Sequence, residues 1–300
     1  MKEETKDSAL GIDKYKQTLS KYALDVDTEK VREAVQNIIR EKVLENDTPY
    51  VKKFLMGSIE HTSLHVTDTE EEILSIVERL NKFGNTYPTL PHVAAICVYP
   101  RFTNLVSQSL EVDNIEITTV CGGFPAAQTF AEIKVAETAL AVADGSTEID
   151  TVLPLGMFLS EDYEGIADEI AEIKDACAGR PLKVILETGC LKNLSQVKEA
   201  AILAMYSGAD YIKTSTGKEK IGATPEAVYV MCQAIRDYYE ETGIQIGIKP
   251  AGGINSVMDA IVYYTIVKEI LGEKWLTNKW FRIGTSRLTD LLINELTASC

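Results

Sequence analysis

Eight short runs of β-branched and apolar residues, each followed by a stretch with helical spacing, are the feature that most constrains how this 300-residue chain can fold. The runs are FLMGSIE (54–60), VAAICVYP (93–100), EITTVCGGFP (116–125), EIDTVLPL (148–155), KVILE (183–187), YIKTST (211–216), IGIKPAGG (246–253) and FRIGTS (281–286). Strands in strict alternation with helices predict a parallel sheet, because each strand must return over one face before it can pair again. A count of eight favours closure into a (β/α)8 TIM barrel over an open doubly wound sheet.

Among the helices, NSVMDAIVYYTIVKEILG carries Ser256 and Asp259 as a capping pair and Gly272 as a stop. Its apolar face is Val257, Ala260, Ile261, Tyr264, Val267 and Leu271. ATPEAVYVMCQAIRDYY opens with Thr224 as N-cap and Pro225 in the first turn. Before the first strand, DTEKVREAVQNIIREKVLEND spaces Val31, Ala34, Val35, Ile38 and Val43 along a helix that has no strand partner. Residues 1–50 therefore read as an N-terminal helical extension that packs on the main domain, across one mouth of it or at a subunit interface, and residues 51–300 as the barrel.

The formal charge of -15, from 45 acidic and 30 basic residues, argues against a nucleic-acid or anionic-membrane partner. An acidic chain that binds an anionic metabolite must instead gather a few cations and backbone amides in one pocket. The six cysteines, Cys97, Cys121, Cys177, Cys190, Cys232 and Cys300, form no C-x-x-C pair and read as reduced, mostly buried thiols. The first residues, MKEETKDSALGIDKYK, are too charged for a secretion signal, and no apolar run reaches membrane-spanning length, so a cytoplasmic location is expected.

Four strands carry charges where a barrel interior should be. The two-residue strand period puts Lys213 of DYIKTST on a face with Tyr211 and Ser215, and Lys249 of IGIKPAGG on a face with Gly247 and Ala251. With Ile212, Ile246 and Ile248 turned to the helices, both lysines point inward. A buried ammonium either meets a carboxylate or loses its proton, and two on adjacent strands favour a neutral amine able to attack a carbonyl. Asp150, opposite in facing to Ile149 and Thr151, either neutralises a lysine or relays the protons that forming and hydrolysing a Schiff base requires. Lys183 is a third inward candidate, read as an ion-pair partner, with Cys97 and Thr216 beside the same polar cluster.

The last two strands end in glycine-rich turns, Gly252–Gly253 and Gly284–Thr285–Ser286, the second opening a helix. Backbone amides and a helix N-terminus at these strand ends commonly hold a phosphate, and Lys218 stands nearby. His61, His65 and His92 lack a zinc pattern and read as structural or surface residues, so neither a metal nor another cofactor is expected.

With these motifs in hand, residues 54–296 resemble the deoxyribose-phosphate aldolase family. The resemblance rests on CVYPRF (97–102), GGFPAAQT (122–129), DGSTEIDTVLPLG (144–156), LKVILETG (182–189), GADYIKTSTGK (208–218), KPAGGI (249–254) and FRIGTS (281–286). It implies a metal-free class I aldolase that reversibly cleaves 2-deoxyribose 5-phosphate to acetaldehyde and glyceraldehyde 3-phosphate. It also implies that Lys213 is the Schiff-base lysine, that Lys249 keeps it neutral and that Asp150 relays protons. Gly217, Lys218, Gly252, Gly253, Gly284, Thr285 and Ser286 are implied as phosphate contacts.

Glu60 departs from the family's frequent aspartate after strand one and is expected to alter a hydrogen bond near the substrate. Arg287 replaces a common small residue and either strengthens phosphate binding or narrows the pocket. The ending NELTASC provides no tail tyrosine for the site. Alternatives are a related aldolase for another phosphorylated sugar and a barrel that binds sugar phosphates without turning them over. A homodimer through the outer helices is compatible with either.

Overall fold

The computed structural model describes residues 14–298. Most of the charged N-terminal stretch and Cys300 lie outside the described residues. Strands β1 (Ile59–Thr62), β2 (Ala95–Val98), β3 (Glu116–Val120), β4 (Glu148–Val152), β5 (Leu182–Ile185), β6 (Tyr211–Lys213), β7 (Gly247–Lys249) and β8 (Ile283–Thr285) form one eight-stranded sheet. Every pairing from β8 through β1 to β7 is parallel. Parallel bridges Ile248–Phe281 and Ala251–Gly284 join β7 to β8 and close the barrel expected from the eight-fold alternation.

The two-residue period divides the strands as the sequence predicts. Ile59, Ile96, Ile149, Val184, Ile212, Ile248 and Ile283 face the helices and are fully buried in the main apolar core. The alternate residues turn inward, and several are polar or charged. Gly247 is required by this interior: a Cβ there would overlap the Tyr211 ring, which crosses from the adjacent strand.

The helices begin where local chemistry predicts. Ser256 and Asp259 make a reciprocal capping box at Val257–Leu271, and Thr224 caps Pro225–Thr242 with Pro225 in its first turn. The first expected strand needs correction. FLM of FLMGSIE completes a helix, Pro49–Met56, capped by Thr48, and the strand begins only at Ile59. The apolar run 54–56 is one buried helical turn, which periodicity alone does not separate from a strand.

Upstream, helix Thr28–Lys42, capped by Asp27, packs against Pro225–Thr242 and Val257–Leu271, and the short helix Lys14–Leu19 packs against Tyr163–Ala176 and Leu194–Tyr206. These contacts are with the outer ring of helices, and none of residues 14–50 lines the cavity at either end of the barrel. The described part of the extension, residues 14–50, therefore braces the flank, not a mouth. No helix among the described residues is long and apolar enough to cross a membrane.

Replacing Gly247 by Ala should lower stability by about 1–3 kcal/mol, the usual cost of overpacking a filled interior, read from the midpoint of denaturant unfolding. Pairing it with Tyr211→Phe should not rescue it, because the ring itself occupies the space.

Candidate active site

Inward-facing charges from five strands, with Arg282 just before β8, meet in one buried cluster. Lys213 Nζ and Lys249 Nζ each lie 2.7 Å from the same oxygen of Asp150, Oδ2, while Lys183 Nζ faces Oδ1 at 3.2 Å. Lys183 also donates to Glu148 Oε2 at 2.7 Å, and Arg282 reaches Glu148 Oε1 at 3.0 Å. Glu60 accepts from Lys249 and lies 3.5 Å from both Lys183 and Arg282. Thr118 donates its hydroxyl to Glu148.

Strand register explains the convergence. Lys213 and Lys249 are paired across β6 and β7, Asp150 and Lys183 across β4 and β5.

Burial opposes the charges of Asp150, Glu148, Lys183, Lys249 and Arg282, and their partners overcome it. Desolvation works against ionised Asp150, yet Lys213, Lys249 and Lys183 hold its carboxyl well below the usual carboxylate range. Glu148 is likewise opposed by burial and brought down to about 2 by Lys183 and Arg282. Desolvation would lower Lys249, but Asp150 and Glu60 raise it above the ordinary lysine value, so Lys249 stays a cation.

Cys97 lies inside β2, fully buried, and burial pushes its thiol up to about 11. It is a small apolar filler, not a nucleophile. Glu60, Cys97 and Asp150 bring one potential ligand atom each within 4.8 Å of one another. Lysine nitrogens already occupy both carboxylates, and a neutral thiol is a poor ligand, so the donor set does not suit a metal ion.

Above the cluster, at the C-terminal ends of the strands, opens a cavity of about 270 Å³. Lys213 forms part of its floor. Gly217, Lys218, Gly252, Gly253, Gly284, Thr285, Ser286, Thr216 and Arg287 line its walls. Gly217 and Gly252 have φ of 77° and 81°, and the ideal Cβ of Gly252 would lie 3.3 Å from Gly217 Cα, so the two turns approach with no side chain between them. The Thr285 hydroxyl accepts the N–H groups of Arg287 and Leu288, opening helix Leu288–Ala298 at the cavity wall. Lys218 reaches across to the Leu64 carbonyl.

The structure thus brings Lys213, Asp150, Lys249 and Lys183 into one contact network. Thr216 and the glycine turns border the cavity directly above it.

Glu60 lies within the first strand, not after it. It sits within β1, beneath Lys249 and outside the cavity lining, so its longer side chain serves the ion cluster and makes no contact in the cavity. Glu148 and Arg282 were missed. The period that turns Asp150 inward also turns Glu148 inward, and the one that turns Gly284 inward does the same for Arg282; the signal was legible. His61 is buried on the outer face of β1, with Nδ1 at 3.1 Å from Thr289, and burial and Arg79 lower it to about 4, so it is a neutral packing residue.

The sequence model described as "DeoC/LacD family aldolase" matches residues 56–268. The chain belongs to the DeoC/LacD aldolase family. A relative from Caenorhabditis elegans is 41% identical over 268 residues, covering 89% of this chain and 88% of that one. Human deoxyribose-phosphate aldolase is 42% identical over 240 residues, covering 77% and 76%. Among solved structures, one titled "QR15, an Aldolase" is 28% identical with a TM-score of 0.68 and covers 82% of this chain and 97% of that one. The Aeropyrum pernix deoxyribose phosphate aldolase, described as tetrameric, shares the barrel at 24% identity and a TM-score of 0.68, covering 88% and 98%. This family membership makes the chain an aldolase, a lyase built on a TIM barrel.

Removing one partner from the cluster leaves a buried charge exposed to nothing, so Glu148→Ala should cost about 3–5 kcal/mol of stability in denaturant unfolding. Asp150 and Glu148 have folded pKa values below their unfolded ones, so the unfolded chain binds more protons as acid is added. Their stabilisation is complete above the unfolded carboxylate range, near pH 4–5, and is lost as pH falls toward about 2. Thermal midpoints across this range should drop, and Glu148→Gln should flatten the drop.

Proposed function

We propose that this aldolase reversibly cleaves 2-deoxyribose 5-phosphate to acetaldehyde and glyceraldehyde 3-phosphate through a Schiff base on Lys213. One observation carries the reading: Lys213 opens into a cavity whose far walls are the glycine turns and helix start suited to a phosphate, while its amine rests on a buried carboxylate. Named deoxyribose-phosphate aldolases among the relatives support the substrate.

The charge count supports Lys213 as nucleophile. Lys183, Lys213, Lys249 and Arg282 face Glu60, Glu148 and Asp150, so four basic groups meet three carboxylates. With one amine neutral the cluster balances. Lys183 and Lys249 are each held charged by two or more carboxylates, whereas Lys213 touches only Asp150 and borders the cavity. It is the group placed to act as an amine.

The neutral amine adds to the aldehyde carbon C1 of the open-chain sugar, and the carbinolamine loses water to give a protonated imine. A base takes the proton of the C3 hydroxyl. The C2–C3 bond then breaks, C3 becomes the aldehyde of glyceraldehyde 3-phosphate, and the electron pair passes into the iminium to form an enamine. Protonation at C2 and hydrolysis of the imine release acetaldehyde and restore Lys213. Asp150, 2.7 Å from the lysine nitrogen, relays protons in the additions and eliminations at C1. Lys249 remains a cation beside it and shares the Asp150 Oδ2 with Lys213. Lys218, Arg287 and the turns at Gly217, Gly252, Gly253 and Gly284–Ser286 hold the 5-phosphate. A cytoplasmic location agrees with the free cysteines among the described residues. Exposed Phe130, Ile133 and Leu140, at and along helix Ala131–Ala143, offer an apolar face for a homodimer.

Borohydride added with acetaldehyde should leave an ethyl group on Lys213, located by peptide mass spectrometry. An active enzyme with unmodified Lys213 would remove the mechanism. Lys213→Ala should lower kcat/KM at least about a thousand-fold. EDTA should leave the rate unchanged, since the iminium is the electron sink. Equal cleavage of ribose 5-phosphate would end the claim for the 2-deoxy sugar.

A further inference from the structure

The cavity's phosphate wall hangs on a residue that touches neither the reacting carbon nor the cavity. Glu187, just beyond β5, is buried and adopts a left-handed backbone, φ 47° and ψ 57°, the region a non-glycine residue avoids. The conformation ends the strand and starts the short turn Thr188–Cys190. Both carboxylate oxygens of Glu187 lie 3.2 Å from the Thr216 N–H, and Oε2 accepts the Thr216 hydroxyl at 2.5 Å.

This arrangement fixes a direction. A carboxylate only accepts, so the Thr216 hydroxyl must donate to Glu187, and its remaining lone pairs face the next donor. That donor is the N–H of Lys218, 3.1 Å away. The chain of bonds therefore runs from Lys218 through Thr216 to Glu187 and holds Gly217 in the middle of the turn. Nearby packing holds the same loop. A Cβ on Gly189 would overlap the Ile221 carbonyl, and one on Gly222 would overlap Gly252, so residues 217–222 lie clamped between the turn after β5 and the turn after β7.

We infer that Glu187 is a positioning residue that sets the turn Thr216–Gly217–Lys218 for the 5-phosphate, and so sets preference for phosphorylated over unphosphorylated substrates. The inference rests on the function proposed above but concerns only how the phosphate end is held. Its buried carboxylate also feels Lys213, which makes a direct effect on the nucleophile the competing explanation.

The test uses the full chain with deoxyribose 5-phosphate, unphosphorylated 2-deoxyribose and inorganic phosphate. Glu187→Gln replaces one acceptor by an amide donor facing the Thr216 N–H, and Thr216→Val removes the hydroxyl while keeping its shape. Each should raise KM for deoxyribose 5-phosphate about ten-fold more than KM for 2-deoxyribose, the effect of one lost charge-assisted hydrogen bond, with kcat moving less. Inorganic phosphate, as competitive inhibitor or in a binding titration, should weaken in parallel. Thr216→Ser should retain the wild-type preference.

Equal losses on both sugars, no loss, or a shifted pH profile of kcat with 2-deoxyribose would overturn the inference, the last by assigning Glu187 to Lys213. Failure of the wild type to cleave deoxyribose 5-phosphate would instead overturn the proposed function. The phosphate titration would still decide the role of Glu187.

Discussion

The rest of this molecule depends on a cluster of charges buried in the barrel interior. Four basic groups and three carboxylates occupy the barrel interior, where burial opposes charge and neighbours of opposite sign offset it. The cluster separates two spaces. Glu148, Tyr211 and Arg282 face a cavity at the N-terminal end of the strands, and Lys213 faces the one at the C-terminal end. Lys213, at the boundary, is the member with fewest carboxylate partners and the only lysine of the cluster in contact with the cavity. Fold stability and the role proposed for Lys213 thus draw on the same electrostatic balance.

Above that boundary, hydroxyls extend the strand ladder where the backbone stops. Thr214 exchanges hydrogen bonds with both the N–H and the carbonyl of Ala251, holding the turn that leads into Gly252. Thr216 does the equivalent work toward Glu187 and Lys218. Of the three hydroxyls in Thr214–Ser215–Thr216, only that of Thr216 borders the cavity. The run is therefore mainly scaffolding, in which side chains substitute for ladder bonds so that two glycine turns can meet.

Much of the site was legible because strands impose a period of two. That rule alone turned Lys213, Lys249, Asp150 and Lys183 inward, and applied evenly it also points to Glu148 and Arg282. What it does not contain is distance around the barrel. Glu60 lies in β1 and Lys249 in β7, 189 residues apart, and their contact exists only because β8 closes between them. The same gap explains the misplaced first strand: the apolar residues at 54–56 suit a buried helical turn as well as a strand, and only packing against the helices Val257–Leu271 and Leu288–Ala298 distinguishes them.

The amino-acid sequence by itself determined the alternation of strand and helix, the caps that start the helices and the inward facing of the charged residues. These follow from local periodicity and from side chains bonding their own backbone within a few residues. Tertiary structure alone decided which charge meets which, that the N-terminal helices brace the flank, and that Glu187 reaches Thr216 instead of the cavity. Each of these depends on strand register and barrel closure, which bring together residues that no local spacing relates.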